Sequence, residues 1–343
     1  MRFSPFKVGR SLAIDLGTAN TLLSIKGRGI AVREPSVVAI DKYNRKVLAI
    51  GNAADEMLGR TPENISAIRP VKDSVIADID ITEAMLRRLM HIALGKRGSV
   101  FKPRVTVCVP TEITNVEKRA VVQALMIAGA KSVTLIEEPV AAALGAGLDI
   151  LRPEGNMIVD IGGGTCETAV VASGGVVSSH SMRIAGAALN EAVAGYVKNH
   201  FGLAIGDKTA EEIKISIGSA SPFDGEGTYE GRGRDSSTGL PKNIAISAAE
   251  VRDAMAENIG LIIDEIRSTL SITPAELTSD ILKNGITLTG GGALIRNIDK
   301  VIEAEIGVPV RVAEEPIDCV VLGTGMAADN ENILSRSGVA RNG

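Results

Sequence analysis

Residues 157–171 read MIVDIGGGTCETAVV: an apolar run, Asp160, then Gly162, Gly163, Gly164 and Thr165, then a second apolar run. Two β-type runs joined by a glycine turn predict a hairpin. Three successive glycines carry no Cβ, so their N–H groups can close on an anion such as a phosphate. A carboxylate at the end of a buried strand is placed to hold Mg²⁺ through water beside that phosphate. A glycine-rich hairpin can also be only a hairpin, but the chain repeats this one. Residues 11–25, SLAIDLGTANTLLSI, carry Asp15, Gly17, Thr18 and Thr21 in the same order. One phosphate hairpin in each half predicts two similar domains facing each other across a nucleotide. A third glycine turn, Gly290, Gly291 and Gly292, follows the run 286–289 and is expected to open a helix over 293–306 with its N-terminus toward that nucleotide.

The elements that must hold these groups alternate between strands and helices, the α/β pattern. Strands are expected at 37–40, 47–50, 133–136 and 105–109, the last a continuous apolar run suited to a strand covered on both faces. Helices are expected at 53–58, 81–94, 115–128, 187–200, 209–217 and 248–269, with Ser247 and Glu250 as a capping box for the last. Strand 133–136 delivers Glu137 and Glu138, and Pro139 starts the next helix. Residues 72–80 read as irregular, 219–243 as an exposed hairpin with loops, 281–284 as the approach to a strand, and 316–328 as a last apolar helix.

The chain has 343 residues, 45% hydrophobic and 23% charged, which predicts a globular protein of two domains. A net charge of −4 gives no reason to expect a nucleic-acid partner. Cys108, Cys166 and Cys319 are scattered, with no CxxC and only three histidines, so neither zinc nor disulfides are expected and the chain reads as reduced and cytosolic. No apolar run is long enough to span a bilayer, and no signal peptide is evident. Residues 1–10, MRFSPFKVGR, hold Arg2, Lys7 and Arg10, no acid, and Phe3 and Phe6, two of the five phenylalanines of the chain. Two readings stand: a frayed terminus, or a basic, aromatic segment lying on an anionic membrane surface. Val100 and Phe101, flanked by Lys96, Arg97 and Lys102, offer the same choice between a membrane-insertion tip and a ring tucked onto the domain.

The motifs occur in an order that resembles the actin, Hsp70 and sugar-kinase superfamily. DLGT at 15–18 and DIGGGT at 160–165 resemble its two phosphate motifs, and LTGGG at 288–292 its adenosine motif. The helices around 139–147 and 322–328 resemble its two connecting motifs. IDLGTANTL, EPSVVAI, MLGRTP, AIRPVKDSVIAD, EEPVAAALGAGL, TAEEIK and LTGGGALIRNID narrow the resemblance to the MreB family of bacterial actins, from about Leu12 to Ala328. The resemblance implies an α/β, actin-like, ribonuclease H-like duplicated fold with nucleotide in the cleft. Domain I would cover 1–145, with a small subdomain at about 33–75 and residues 320–343 returning to it. Domain II would cover 146–319, with a small subdomain at about 182–247.

By the same resemblance, Asp15 and Asp160 hold the Mg²⁺ of ATP, and Thr18, Ala19 and Asn20 contact phosphate with Gly162, Gly163 and Gly164. Glu211, Glu212, Ile213 and Lys214, with Gly290, Gly291, Gly292 and Ala293, take the adenosine side. Glu138 and Thr165 orient the attacking water, which suits a reaction that needs positioning more than covalent chemistry. From the residues alone, Glu138 is also a carboxylate at the positive end of a helix dipole. The family further implies membrane contact by the N-terminal segment and the turn holding Val100 and Phe101. It implies paired filaments of the chain under the inner membrane, and partners in cell-wall elongation.

The chain departs from the family pattern at Cys166, where a second Thr is usual, at Ala187 and Ala188 in place of an acid-containing stretch, and at Asn190 in place of Asp. The region after Gly186 lies close to the nucleotide in this fold, so the resemblance implies altered ribose contacts and an altered hydrolysis rate. Two other functions share the nucleotide motifs. One is a filament for another positioning task. The other is a monomeric ATPase of chaperone or kinase type, which is expected to carry further domains or insertions.

Overall fold

The computed structural model describes residues 11–95, 102–330, 333–334 and 341–342. Phe3, Phe6, Val100 and Phe101 therefore lie outside the described residues.

The duplication read from the two hairpins extends to whole sheets. In the first sheet, strands Ser11–Leu16, Asn20–Ile25 and Gly29–Pro35 form an antiparallel meander. Arg104–Val109 then pairs parallel to Ser11–Leu16, and Ser132–Glu137 pairs parallel beyond it. The short strand Arg341–Asn342 closes that edge. In the second sheet, Asn156–Ile161, Cys166–Ala172 and Gly175–Met182 form the meander, and Ile286–Thr289 and Val310–Val312 add in parallel. Apart from the closing strand, both sheets have the order 3-2-1-4-5 in their own chain order. Each also has one register shift between its second and third strands, at Leu23/Ser24 and at Val170/Val171. Asp15 and Asp160 occupy the fifth of six positions in their respective first strands.

Each sheet has its own apolar core. Ile14, Leu23, Met85, Leu89, Val107 and Leu125 belong to one; Val159, Val170, Val193, Ile213, Ile262 and Leu288 belong to the other. A third cluster joins them. It contains Cys108 and Ile136 from the first sheet, Ile158, Ala169 and Val171 from the second, and Val140–Ala143 and Val320 from two helices. Those helices, Glu138–Gly145 and Cys319–Ala328, cross at glycines. A Cβ on Gly145 would stand 1.8 Å from the Cys319 carbonyl oxygen, and one on Gly323 1.8 Å from that of Ala141. Backbone thus lies on backbone, an approach that only glycine permits.

Helix ends follow local rules. Ser247 and Glu250 form the expected capping box on Ala248–Ser271, the Ser247 N–H donating to the Glu250 carboxylate at 2.8 Å. Thr114 and Glu117 form a second on Asn115–Ala128. Three expectations need correction. The third glycine turn does not open one helix over 293–306: Gly291–Leu294 is a short 3₁₀ turn and the helix is Ile298–Ile306. Between them Arg296 is drawn into a bridge with Ser219, the Ala220 N–H donating to the Arg296 carbonyl at 2.8 Å, and Asn297 turns left-handed before the helix starts. Residues 281–284 are the end of a helix, Ala275–Asn284, whose buried face is reduced to Ile281, too little for a readable period. Residues 72–80 contain a tight hairpin, Val71–Lys72 with Val75–Ile76, and the start of the helix Ile79–Leu94 capped by Asp78.

Two small three-stranded sheets are added, one to each half. Val38–Asp41, Val47–Ile50 and Ile65–Ile68, with the short helix Asn52–Asp55, stand on one side. Leu203–Ala204, Thr228–Asp235 and Pro241–Ser247 stand on the other. Lys208 and Asp55 form an ion pair at 3.0 Å between the two sides.

Candidate functional site

The two hairpin loops meet face to face. A Cβ on Gly163 would lie 2.6 Å from the Ala19 Cβ, and one on Gly164 2.6 Å from Thr18 Oγ1. The glycines are therefore required by the opposing loop itself, in addition to any room they leave for phosphate. The Gly162 N–H closes its loop on the Thr165 carbonyl at 2.9 Å. The first loop is braced from outside: Ser36 Oγ donates to the Gly17 carbonyl at 2.6 Å, and the Ser36 N–H to the Ala19 carbonyl at 2.9 Å. Between the loops lies a narrow cleft of about 80 Å³. Asp15, Thr18, Ala19, Asn20, Glu138 and Asp160 line it, as do Gly162, Gly163, Gly164, Thr165, Gly290 and Gly291.

The cleft floor is a cluster of carboxylates. Asp160 is 4% exposed and accepts the Thr289 hydroxyl at 2.6 Å. Burial pushes its pKa up to about 6, against that hydrogen bond. Burial, and then the charge of Asp160, push Asp15 up to about 7. Glu138 is raised well above the usual carboxylate range by burial and by the charges of Glu167, Asp160 and Asp15. Glu167 pairs with Asp160 across the hairpin and is pushed to about 8, chiefly by burial. Like charges in a low dielectric hold protons, and any cation beside them reverses the effect. Sequence reasoning did not single out Glu167; a charged residue at the second position of an apolar strand was the available signal.

Sequence reasoning also missed Ser74. Its N–H donates to Thr18 Oγ1 at 3.0 Å, and its hydroxyl lies 2.9 Å from Thr165 Oγ1. It sits in the turn of the hairpin that had read as irregular. Asp and Ser between two β-type pairs were the available turn signal.

The third glycine turn lies against the strand that carries Asp160. Gly290 has φ 79°, and Cβ atoms there and on Gly292 would strike Ile161 at 2.4 and 2.2 Å. Gly290 and Gly291 face the cleft, while Gly292 and Ala293 are buried beneath it. Among the residues of helix Asp207–Ile217, Lys214 reaches the loop: its Nζ donates to the Gly186 carbonyl at 3.0 Å, and the Gly186 N–H to the Gly162 carbonyl at 3.0 Å. Burial lowers the Lys214 pKa, and Glu211 and Asp207 oppose that shift. Ile213 is fully buried in the core, and Glu212 is exposed and accepts the Tyr229 hydroxyl at 3.4 Å. None of Glu211, Glu212, Ile213 and Lys214 lines the cleft between the loops.

The departures from the family pattern have distinct places. Cys166 is fully buried in the second core, so its side chain faces away from the cleft that Thr165 faces. Burial pushes its thiol well up, which leaves it unreactive. The Ala187 N–H donates to the Gly163 carbonyl at 2.7 Å. Asn190 is buried and donates to Asp207 at 3.3 Å.

Comparison with known proteins gives one answer. The sequence model of the MreB/Mbl protein family matches residues 9–336. The cell shape-determining protein Mbl of Bacillus subtilis is 46% identical over 327 residues, covering 95% of this chain and 98% of that protein. The cell shape-determining protein MreB of Escherichia coli is 48% identical over 322 residues, covering 93% of each. Among solved structures, MreB5 of Spiroplasma citri bound to ADP superposes with a TM-score of 0.90 at 36% identity, covering 94% of this chain and 97% of that one. The same protein bound to AMPPNP gives 0.89. A MamK double helical filament gives 0.79 at 20% identity, covering 94% of this chain and 99% of that one, a likeness of fold. The fold is actin-like, and the chain belongs to the MreB/Mbl family of cell shape-determining proteins.

Proposed function

We propose that the chain is a slow ATPase that binds ATP with Mg²⁺ between its two halves. It polymerises head to tail into paired filaments on the inner face of the cell membrane, organises cell-wall elongation there and so maintains rod shape. One observation carries the nucleotide reading. Two phosphate-type hairpins, one from each half, close loop on loop over a floor of buried carboxylates. The ADP and AMPPNP held by Spiroplasma citri MreB5, a relative at 36% identity, support the choice of nucleotide. The shape role follows the printed names of Mbl and MreB.

Asp15 and Asp160 are the residues that would hold Mg²⁺. They fit it: hard carboxylate oxygens, buried together so that the charge of Asp160 opposes that of Asp15, are a pair whose ionised form a divalent cation would favour, in a site completed by waters and phosphate oxygens. Among the described residues, no group of three or more His, Cys, Asp or Glu makes a metal site from protein alone. When bound, Mg²⁺ neutralises charge on the phosphates. Thr18, Ala19, Asn20 and Gly162–Gly164 cradle the phosphates with backbone N–H groups. Glu138 accepts a hydrogen bond from the attacking water, and Thr165 fixes the direction of that water. Lys214 braces the Gly186 carbonyl, so the adenosine-side helix and the phosphate loop move together.

A head-to-tail contact is heterologous and does not close, so it extends into a filament. No helix among the described residues is long and apolar enough to cross a membrane. Membrane binding would therefore rest on residues 1–10 and on Val100 and Phe101, multiplied by avidity along the filament. The test is sedimentation with anionic vesicles, with and without ATP and Mg²⁺, and imaging of the pellet. ATP-dependent filaments that carry vesicles down are the expected result. Absence of filaments at every concentration overturns the polymer and leaves a monomeric ATPase. Filaments that ignore vesicles overturn the membrane role. So does deletion of residues 1–10, combined with Phe101→Ser, if it changes nothing.

A further inference from the structure

The motif AIRPVKDSVIAD has no part in the chemistry above, yet its turn reaches the cleft. Strands Val71–Lys72 and Val75–Ile76 are joined through Asp73 and Ser74, with φ of 50° and 58°. Positive φ at both positions is the type I′ geometry, in which glycine at the second position is the unstrained choice. Serine there carries a Cβ in the left-handed region, a strain that persists at functional positions. Its side chain is not idle. Ser74 Oγ lies 2.9 Å from Thr165 Oγ1, and the Ser74 N–H donates to Thr18 Oγ1 at 3.0 Å. Thr18 and Thr165 come from the loops of the two halves and are 9% and 7% exposed. The turn of the small hairpin therefore ties together two buried hydroxyls across the cleft.

A hydroxyl has one hydrogen and two acceptor sites, so a single partner fixes its rotamer and the direction of what remains. We propose that Ser74 is the positioning residue for the Thr165 hydroxyl, holding it in the rotamer that directs the attacking water. The proposal rests on the reading of Thr165 as the group that orients that water. Ser74 acts through Thr165, so its loss slows hydrolysis while leaving ATP affinity in place.

The test is a double-mutant cycle with Ser74→Gly and Thr165→Val, read by single-turnover hydrolysis at saturating ATP and Mg²⁺ and by ATP affinity. Ser74→Gly removes the hydroxyl and relieves the positive φ, so its melting temperature is expected to equal or exceed that of the unaltered chain. Its hydrolysis is expected to slow by about tenfold, the effect of one well-placed hydrogen bond. ATP affinity should stay within about twofold. In the Thr165→Val background, Ser74→Gly should slow hydrolysis no further, because coupled residues are not additive. Ser74→Gly at the unaltered rate, with Thr165→Val slow, overturns this proposal alone. Full multiplication of the two effects also overturns it, since Ser74 would then act independently. An unaltered chain that does not bind or hydrolyse ATP, or Thr165→Val at full rate, overturns the underlying reading and this proposal with it.

Discussion

Glu167 gives a stability prediction with a sign and a size. It is 1% exposed; one carboxylate oxygen accepts the Thr111 N–H at 3.1 Å, and the other is buried without a hydrogen-bond partner. Burial pushes its pKa from 4.5 to about 8; the Thr111 N–H opposes the rise, and the charges of Asp160, Glu112 and Glu137 add to it. Between those two values the unfolded chain has released the proton and the folded chain has kept it. The folded state binds more protons there, so stability falls as pH rises through the window. At 1.36 kcal/mol per pH unit, the loss reaches about 3 kcal/mol by pH 7 and about 5 kcal/mol above pH 8. Glu167→Gln keeps an acceptor for the Thr111 N–H and has no charge to bury. The variant should match the unaltered chain near pH 4.5 and exceed it by about 3 kcal/mol at pH 7. The assay is urea unfolding of the protein free of nucleotide and divalent cations, followed by circular dichroism at pH 5, 6, 7 and 8, with midpoints compared at a common slope. Parallel stability curves for the two proteins, or a variant less stable at pH 7, would refute the reasoning.

Three further outcomes are expected. Gly323→Ala places a Cβ 1.8 Å from the Ala141 carbonyl oxygen, backbone that cannot step aside, so the connecting helices must part. A loss of about 3 kcal/mol or more is expected in the same urea assay, and a loss below about 1 kcal/mol contradicts it. Gly164→Ala meets Thr18 Oγ1 at 2.6 Å, a buried side chain of the opposing loop. ATP titration should show affinity weakened at least about tenfold, about 1.4 kcal/mol, together with a lowered melting temperature, because the two loops must part. Lys208→Ala removes the ion pair with Asp55, whose side chains are 44% and 24% exposed. The cost should be about 0.5 kcal/mol at low salt and disappear near 0.5 M salt, and an effect indifferent to salt would exclude an electrostatic origin.

Several elements were legible because their causes are local. The capping box of Ser247 and Glu250, the helix Asn115–Ala128 ending at Gly129, and the two hairpins with Asp15 and Asp160 are set by neighbours within a few residues. The helix after Gly290–Gly292 was not, because the bond that interrupts it comes from Ala220, far away in the chain. The helix Ala275–Asn284 was missed for a different reason: one buried residue, Ile281, makes no period.

The sequence by itself determined that this chain is an α/β duplication with one glycine hairpin per half, since strand patterning and loop composition are written residue by residue. It also contained the motifs that place the chain in its family. Only the tertiary structure decided that Gly163 and Gly164 are required by Ala19 and Thr18 on the opposing loop. The same holds for Cys166, which faces the core while Thr165 faces the cleft, and for Ser74, which bridges the two halves. These facts depend on which surfaces meet across the cleft. Such contacts join residues distant in the chain, and spacing along the sequence carries no record of them.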